Sequence, residues 1–357
     1  MNQIPRFLIV RLRAIGDVLI STCLAETIKA NFPQAQVDYA VYKNCVPVLQ
    51  ENPFIDNIIT IPGGKNKSVS QALKALRFLR KQKYDYVIDV INIPKSLVLS
   101  KLLGAKTVIG AKENNRRNCF YDIRADFTQA FLSSSLASNT VKHNLQLLSP
   151  IAAIQQYQQR YHMVFTDDEL AQAETVLQNS GIDVNKPFIF FGINNSMPKI
   201  KSWPLANFAQ VIDVCHQTYG LQTVSYPGPD ELNFDQQLCA LLKTPKQHFT
   251  IKNQSLRELA VIISLARLFI GNDSSPMHIA LACDTPSIAI FAPQVNYLDW
   301  HVRGDRRHRI MSVQSACGYT EAEYLQFLAS FDTSRRAEYY DKITVNAVLQ
   351  ALTEFIV

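Results

Sequence analysis

The sequence has no apolar run near the roughly 18 residues of a membrane-spanning helix, and no signal-peptide core precedes its first predicted strand. Its seven cysteines are scattered without C-x-x-C spacing, which disfavours structural zinc and indicates free thiols. We therefore expect a cytoplasmic protein. No G-x-G-x-x-G follows a predicted strand, which argues against a nicotinamide dehydrogenase, and no D-x-D-type motif stands at a strand end, which favours metal-independent chemistry.

Charge is nearly balanced, with 36 basic and 30 acidic residues and a formal net charge of +6. This excess is too small for a dedicated nucleic-acid binder but suits a phosphate-bearing ligand or an anionic membrane surface. A chain of 357 residues with 47% hydrophobic content is long enough for two domains with separate cores.

Apolar runs and amphipathic stretches alternate along the chain, which predicts an α/β fold with parallel sheets covered by helices. We predict a Rossmann-like domain over residues 1–165, a second over 166–335, and a C-terminal helical segment over 336–357. A basic amphipathic helix is predicted over Gln71–Lys83 and an edge strand at Met163–Phe165. The stretch beyond Pro293 reads as mostly loop until a last helix at Thr344–Phe355.

Polar residues cluster densely after a predicted strand at Leu268–Ile270. Gly271 and Asn272 favour a tight turn there, and Pro276 suits the first turn of a following helix. Asp273, Ser274, Ser275 and His278 surround this helix start, where backbone N–H groups and the helix dipole favour an anion. An ordinary capped βαβ unit is the alternative interpretation.

A similar strand-to-helix junction lies between a predicted strand at Arg6–Val10 and a predicted helix at Val18–Asn31. Further buried strands are predicted at Gln36–Val41 and Tyr84–Val90. Gly16 is expected to permit a sharp turn and Asp17 to cap the next helix. Ligands of open α/β sheets bind at this end of the strands, so Asp17 is a candidate functional carboxylate.

Three segments resemble the signatures of the lipopolysaccharide heptosyltransferases, glycosyltransferase family 9. They are RAIGDVLIST near the start, KSWP in the middle and GNDSSPMHIA late in the chain. The resemblance implies a GT-B fold, in which two Rossmann-like domains with parallel sheets face an interdomain cleft. It also implies an N-terminal acceptor domain, a C-terminal nucleotide-sugar domain and a C-terminal helix that packs back on the first.

The resemblance assigns chemical roles to two of these segments. Asp17 matches the base that takes the proton of the acceptor hydroxyl, a group that an inverting transferase needs. Lys201 matches the diphosphate-binding lysine, with Lys199 as a nearby competitor. Ser196 stands where relatives carry a phosphate-contacting hydroxyl, although Met197 departs from the hydroxyl pair seen in some of them.

The third segment departs from the family pattern G-x-D-[ST]-G-x-x-H, because Ser275 replaces a glycine. Asp273 is expected to accept hydrogen bonds from sugar hydroxyls, since a carboxylate repels phosphate. His278 either orients Asp273, touches phosphate, or is a buried histidine of the core.

Further candidates are charged residues in predicted loops. Glu231, with Asp230 as competitor, stands where a family glutamate binds the ribose hydroxyls of the donor. Basic candidates for the acceptor's acidic sugars are Arg11, Arg13, Lys112, Arg116 and Arg117. Solvated loop residues are the alternative for all of them. The basic helix Gln71–Lys83 and the cluster Arg303–Arg309 are hypothetical contacts with anionic lipid headgroups at the cytoplasmic face of the inner membrane.

These residues predict an inverting enzyme that transfers heptose from ADP-heptose to the Kdo/heptose inner core of lipopolysaccharide. Its partners would be the nucleotide-sugar donor and a lipid A–Kdo acceptor, with no cofactor, no metal and no nucleic acid. The alternatives are a family member with another nucleotide sugar, a sugar-nucleotide epimerase, and a noncatalytic nucleotide-sugar binding protein.

Overall fold

A computed structural model describes residues 4–63, 68–112, 119–126, 137–193, 202–228, 233–302 and 304–356. Its internal contacts divide the chain into a first unit, Met1–Val164, and a second unit, Phe165–Val357. This division lies one residue before the boundary predicted from the sequence. Within the described ranges, no helix is long and apolar enough to cross a membrane.

The first unit is built on six parallel strands in the spatial order β3-β2-β1-β4-β5-β6. The strands are β1 (Arg6–Val10), β2 (Gln36–Val41), β3 (Asn57–Thr60), β4 (Tyr86–Asp89), β5 (Thr107–Ala111) and β6 (Ile123–Ala125). The helices are α1 (Ile15–Ile20), α2 (Cys23–Asn31), α3 (Val69–Lys81), α4 (Pro94–Leu102) and α5 (Asn139–Gln146), with a 3₁₀ turn at Lys43–Val48.

The second unit repeats this plan with the order β12-β11-β10-β7-β8-β9, again with parallel pairs. Its strands are β7 (Phe188–Gly192), β8 (Gln222–Ser225), β9 (His248–Thr250), β10 (Leu268–Asn272), β11 (Ser287–Ile290) and β12 (His308–Met311). The helices are α6 (Asp167–Asn179), α7 (Leu205–Tyr219), α8 (Phe234–Cys239), α9 (Leu256–Leu265), α10 (Ser275–Ala282), α11 (Val313–Cys317), α12 (Glu321–Ala329), α13 (Arg336–Tyr340) and α14 (Val345–Ile356). Short 3₁₀ turns occur at Pro245–Gln247, Tyr297–Asp299 and Thr333–Arg335.

Both sheets have the doubly wound strand order. In each sheet, the first three strands follow one another from the centre to one edge, and the next three follow one another from the centre to the opposite edge. Strand order therefore reverses between β1 and β4 in the first unit and between β7 and β10 in the second, and ligands of such sheets bind beyond the carboxyl ends at these switch points. The α/β prediction with two Rossmann-like domains is confirmed.

The central strands are apolar on both faces because helices cover both sides of a parallel sheet. Phe7, Leu8, Ile9 and Val10 of β1 are fully buried, and every residue of β7 and β10 is buried. These continuous apolar runs are what made the strands recognisable in the sequence.

Three details of the predicted secondary structure are wrong. Met163–Phe165 forms no strand, and the helix expected from Val18 to Asn31 is two helices, α1 and α2. The stretch after Pro293 holds β12 and three helices rather than mostly loop. β12 escapes prediction because it is a short edge strand with charged residues; its His308 ring bonds the Ser287 hydroxyl at 2.9 Å.

The C-terminal helix α14 packs in the second unit. Val348 and Leu352 are fully buried and share a core cluster with Trp203 and Ile343. Its predicted contact with the N-terminal domain stays a prediction.

A buried hydrogen-bonded chain of histidine and hydroxyl side chains lies in the second unit. His216 Nε2 and His248 Nδ1 each lie 2.8 Å from the Thr223 hydroxyl, and His248 Nε2 lies 3.0 Å from Ser225 Oγ. Burial lowers the pKa of His216 and lowers that of His248 to about 3. Both rings are therefore neutral near pH 7 and act as hydrogen-bonding parts of the core.

This chain predicts that acid weakens the second unit. The unfolded protein binds a proton at His248 below pH about 6.5 and the folded protein does not, so stability falls as pH drops below that value. Between pH 7.5 and 5.5, His248 alone accounts for about 1.4 kcal/mol, or about 3–6 °C in melting temperature. His248→Gln should reduce the pH-dependent loss by that amount, as measured by calorimetry. His162→Gln, at a ring 42% exposed, is the control and should keep the full loss. An unchanged slope in His248→Gln would contradict the assignment.

Candidate functional site

The candidate base lies at the carboxyl end of β1. Helix α1 begins at Ile15, so Asp17 is in its first turn, and the N-cap residue Ala14 makes no side-chain capping bond. The prediction that Asp17 caps the helix is therefore wrong, and Gly16 is a helical residue rather than part of a sharp turn. The helix begins earlier than the polar pattern suggested, which frees the carboxylate for another contact.

That contact is an ion pair with Arg11. Arg11 Nη2 donates to Asp17 Oδ1 at 2.8 Å, and Arg11 Nη1 donates to the Val90 carbonyl at 2.7 Å. The two side chains are only 8% and 12% exposed. Burial lowers the pKa of Arg11, an effect that Asp17 opposes. Arg11 therefore orients Asp17 and compensates its charge.

The two predicted arginine anchors differ in their surroundings. Arg13 Nε lies 3.5 Å from the other carboxylate oxygen of Asp17, and the Arg13 side chain is 57% exposed. Arg11 is buried and its terminal nitrogens are already engaged. Arg13 is thus the one of the pair that is open to a bound ligand.

Asp89, which sequence reasoning missed, shapes the loop after β4 that supplies the Val90 carbonyl. This fully buried carboxylate accepts hydrogen bonds from two backbone N–H groups and two hydroxyls: Ile91 N, Asn92 N, Ser96 Oγ and Tyr121 Oη, at 2.8–3.2 Å. Burial raises its pKa. The available signal was an aspartate near the end of a predicted strand, three residues before an N-x-P sequence at Asn92–Pro94.

A large cavity of about 1260 Å³ lies at the carboxyl ends of β2 and β3. Its lining includes Tyr42, Lys43, Lys74 and Phe78. The neighbouring 3₁₀ turn contacts the Asp17 junction, because Cys45 Sγ donates to the Arg13 carbonyl at 3.3 Å. The first unit therefore holds a roomy, partly basic cavity beside its candidate base, which the sequence did not reveal.

The other predicted acceptor residues are only partly described. Lys112 forms an exposed ion pair with Asp126, with 2.6 Å between Nζ and Oδ2. Arg116 and Arg117 lie outside the described residues, so their place stays a prediction.

In the second unit, β10 runs through Gly271 and Asn272, so the tight turn predicted there is wrong. Gly271 pairs with Gly192 of β7 at the switch point. A Cβ on Gly271 would lie 2.7 Å from the Gly192 carbonyl oxygen and 2.8 Å from its Cα. Close approach of the two strands, rather than a turn, requires glycine here.

Helix α10 begins directly beyond β10, with Ser274 as N-cap and Pro276 in the first turn as predicted. Ser274 Oγ donates to the Asn272 carbonyl at 3.2 Å and does not cap the helix. Asp273 N donates to the Ile290 carbonyl at 3.1 Å, which fixes the start of the loop between β10 and α10. Asp273, Ser274 and Ser275 thus meet at one helix start.

Two of the sequence motifs are joined by a hydrogen bond. Trp203 N donates to Asn272 Oδ1 at 3.1 Å, and Trp203 Nε1 donates to the Ile343 carbonyl at 2.9 Å. The Trp203 side chain is 1% exposed and packs edge-on against Phe208. Trp203 is therefore anchored to the end of β10. Ser196, Lys201 and Glu231 lie outside the described residues.

His278 is buried one turn into α10. Burial and the neighbouring His301 lower the pKa of His278 to about 3, so its ring is neutral near pH 7. The ring lies 5.9 Å from that of Trp300, and its Nδ1 has no partner among the described residues. His278 is therefore a neutral hydrogen-bonding group in this structure.

A second cavity, of about 670 Å³, lies at the carboxyl ends of β8 and β9. Its lining includes Tyr226, Asn233, Lys252 and Asn253. It adjoins both ends of the segment that contains Glu231. In the described part of the chain, no group of three or more His, Cys, Asp or Glu residues is arranged to hold a metal ion.

Comparison with known proteins identifies the family. The model of glycosyltransferase family 9 (heptosyltransferase) matches residues 72–311. The chain belongs to this family. It is a glycosyltransferase, and the predicted resemblance is confirmed.

Relatives agree with this assignment. The chain is 29% identical over 285 residues to lipopolysaccharide heptosyltransferase 3 of Escherichia coli, covering 78% of this chain and 81% of the relative. A glycosyl transferase family 9 structure from Veillonella parvula aligns with a TM-score of 0.81 at 20% identity, covering 100% and 98% of the two chains. A structure of an E. coli heptosyltransferase with ADP-2-deoxy-2-fluoro heptose aligns with a TM-score of 0.68 at 19% identity, covering 98% of this chain and 99% of the other. These structures confirm the GT-B fold.

The glycine pair at the second switch point gives a prediction on stability. Gly192→Ala directs its Cβ at the Phe269 ring alone, whereas Gly271→Ala also meets Gly192 backbone. Each should cost about 1–3 kcal/mol by overpacking. Adding Phe269→Leu should offset part of the cost of Gly192→Ala and little of that of Gly271→Ala, as measured by denaturant unfolding in two double-mutant cycles. Equal recovery in both would contradict the role of backbone contact.

Proposed function

We propose that this glycosyltransferase transfers heptose from ADP-heptose to the Kdo/heptose inner core of lipopolysaccharide, with inversion at the anomeric carbon. The observation that carries the proposal is the carboxylate of Asp17, oriented by buried Arg11 at the first switch point of a family 9 chain. Its relatives in Escherichia coli and Campylobacter coli are named lipopolysaccharide heptosyltransferases, which supports the substrate class.

In this proposal Asp17 takes the proton of the acceptor hydroxyl while that oxygen attacks the anomeric carbon. The bond from that carbon to the diphosphate oxygen breaks, and ADP leaves with the electron pair. Lys201 and the N–H groups at the start of α10 stabilise the charge that develops on the diphosphate. No step requires a metal.

The donor would lie along the carboxyl edge of the second sheet. The cavity of about 670 Å³ suits the nucleoside, with Glu231 at the ribose hydroxyls. Asp273 would accept hydrogen bonds from the heptose, and the neutral ring of His278 would hydrogen-bond Asp273 or the diphosphate, with Ser196 as a further phosphate contact.

The acceptor would occupy the first unit. Lys43 lines the cavity of about 1260 Å³ and would attract the carboxylates of Kdo there. Arg13, Lys112, Arg116 and Arg117 are the further cations proposed for this role. The proposed domain roles follow from this division: acceptor in residues 1–165, donor in residues 166–335.

Removing the base should stop transfer and spare donor binding. Asp17→Asn is expected to lower kcat by about 10²–10⁴-fold, because the amide cannot take a proton. Transfer is measured with ADP-heptose and a Kdo-bearing acceptor, and donor affinity by calorimetry. Asp56→Asn is the control, since Asp56 is a carboxylate of the same unit, ion-paired with Lys29. Retained turnover in Asp17→Asn would contradict the base assignment, provided that its ADP affinity and melting curve match those of the parent.

The donor is tested by titrating the protein with ADP, UDP and GDP in the presence of EDTA. Selective ADP binding that survives EDTA is expected. Lys201→Ala should weaken it about 10–100-fold by removing a charge-assisted contact to the diphosphate. Lys199→Ala, two residues away, is the matched control and should change it little. Preference for UDP or GDP would overturn the ADP-heptose donor, and equal loss in both variants would contradict the choice of Lys201.

A further inference from the structure

Exposed apolar side chains are concentrated on two neighbouring helices of the first unit. Among the described residues, nine large hydrophobic side chains are exposed, and four of them belong to α3 and α4. They are Leu73 (46% exposed), Phe78 (45%), Val98 (57%) and Leu102 (49%). Single exposed apolar residues are common, but a cluster on adjacent elements marks an interaction surface.

Between the two helices lies an apolar groove of about 300 Å³. Ala72, Leu73 and Leu76 line it from α3, and Val98, Leu99 and Leu102 line it from α4. Leu73, Val98 and Leu102 therefore line one open apolar depression rather than standing apart on the helices, and Phe78 lines the adjoining cavity of about 1260 Å³.

The charged residues within these two helices have one sign. Neither α3 nor α4 contains an acidic residue. Five exposed cations on or directly after α3 form no ion pair with any described residue: Lys74, Arg77, Arg80, Lys81 and Lys83. We call these five cations and the four apolar residues above the α3/α4 surface.

The positive charge and the apolar residues of the α3/α4 surface favour one kind of binding partner over another. A second copy of the chain would bring two sets of like charges together, which disfavours self-association through this face. An anionic bilayer offers negative headgroups to the cations and an acyl boundary to the apolar residues, the pairing that amphipathic surface helices use.

We propose that the α3/α4 surface is a membrane-contact surface that lies on an anionic phospholipid bilayer. Ile61 and Pro62 line both the apolar groove and the cavity of about 1260 Å³. The next step rests on the proposed function. Because the groove and the cavity adjoin, a lipid-linked acceptor can enter the cavity while its lipid end remains in the bilayer.

The test is flotation of the full chain with vesicles of phosphatidylcholine, alone or mixed with phosphatidylglycerol. The parent protein should float with the anionic vesicles and much less with the neutral ones. Two variants should each lower the bound fraction about tenfold: Leu73→Gln with Val98→Gln, and Arg77→Gln with Arg80→Gln and Lys81→Gln. All of these positions are exposed or border the groove, so melting temperatures should match the parent.

Matched controls lie in the second unit. Leu325→Gln changes an equally exposed apolar residue, and Lys243→Gln with Lys246→Gln and Lys342→Gln removes three exposed cations. Both control variants should bind vesicles like the parent. That result would show that binding depends on the α3/α4 surface and not on the overall charge or hydrophobicity of the protein.

Four outcomes would overturn the proposal: no flotation of the parent, equal flotation with neutral vesicles, parental binding by both surface variants, or equal loss in the controls. A dimer in light scattering that Leu73→Gln with Val98→Gln dissociates would instead assign the face to a second copy. The assay contains neither donor nor acceptor, so its failure leaves the transfer reaction untouched, and failure of transfer leaves the vesicle result standing.

Discussion

In each unit, a contact across the two central strands holds the candidate site together at the point where strand order reverses. Arg11 follows β1 and reaches both Asp17 and the carbonyl after β4. In the second unit, the segment after β7 returns at Trp203 to the Asn272 side chain at the end of β10. Because parallel strands leave their carboxyl ends at one edge, these short polar contacts are enough to fix functional groups from distant parts of the sequence.

The core strands could be predicted because a strand that is buried on both faces has a continuous run of apolar residues in its sequence. β1 and β2 have the predicted limits of Arg6–Val10 and Gln36–Val41. β12 was missed for the opposite reason: an edge strand needs no such run, and HRIM reads as part of a basic loop. Local pattern also placed the start of α1 too late, since Ala14 begins it without a recognisable capping side chain.

Sequence motifs identify the candidate site residues, but they do not reveal what surrounds these residues in the fold. Nothing in RLRAIGD, residues 11–17, indicates that Arg11 is buried against Asp17 while Arg13 stays exposed. The sequence pattern attributes the glycine at position 271 to a turn. The need for glycine arises instead from Gly192 of β7, 79 residues earlier in the chain, a contact that only the tertiary structure reveals. Such long-range partners decide charge compensation and close packing, and a local sequence pattern does not contain them.

Neutral histidine at the second site bears on how a diphosphate could be bound without metal. The turn from Asp273 to His278 offers backbone N–H groups and hydroxyls, but its side chains supply no cation, because burial keeps His278 uncharged. Helix-dipole stabilisation alone is modest and falls off within a turn. The positive charge that a metal-independent mechanism needs must therefore come from outside this turn. Trp203, tied to the same strand end through Asn272, stands two residues after Lys201 in the sequence. In the mechanism proposed above, diphosphate departure would therefore depend on this lysine rather than on the histidine.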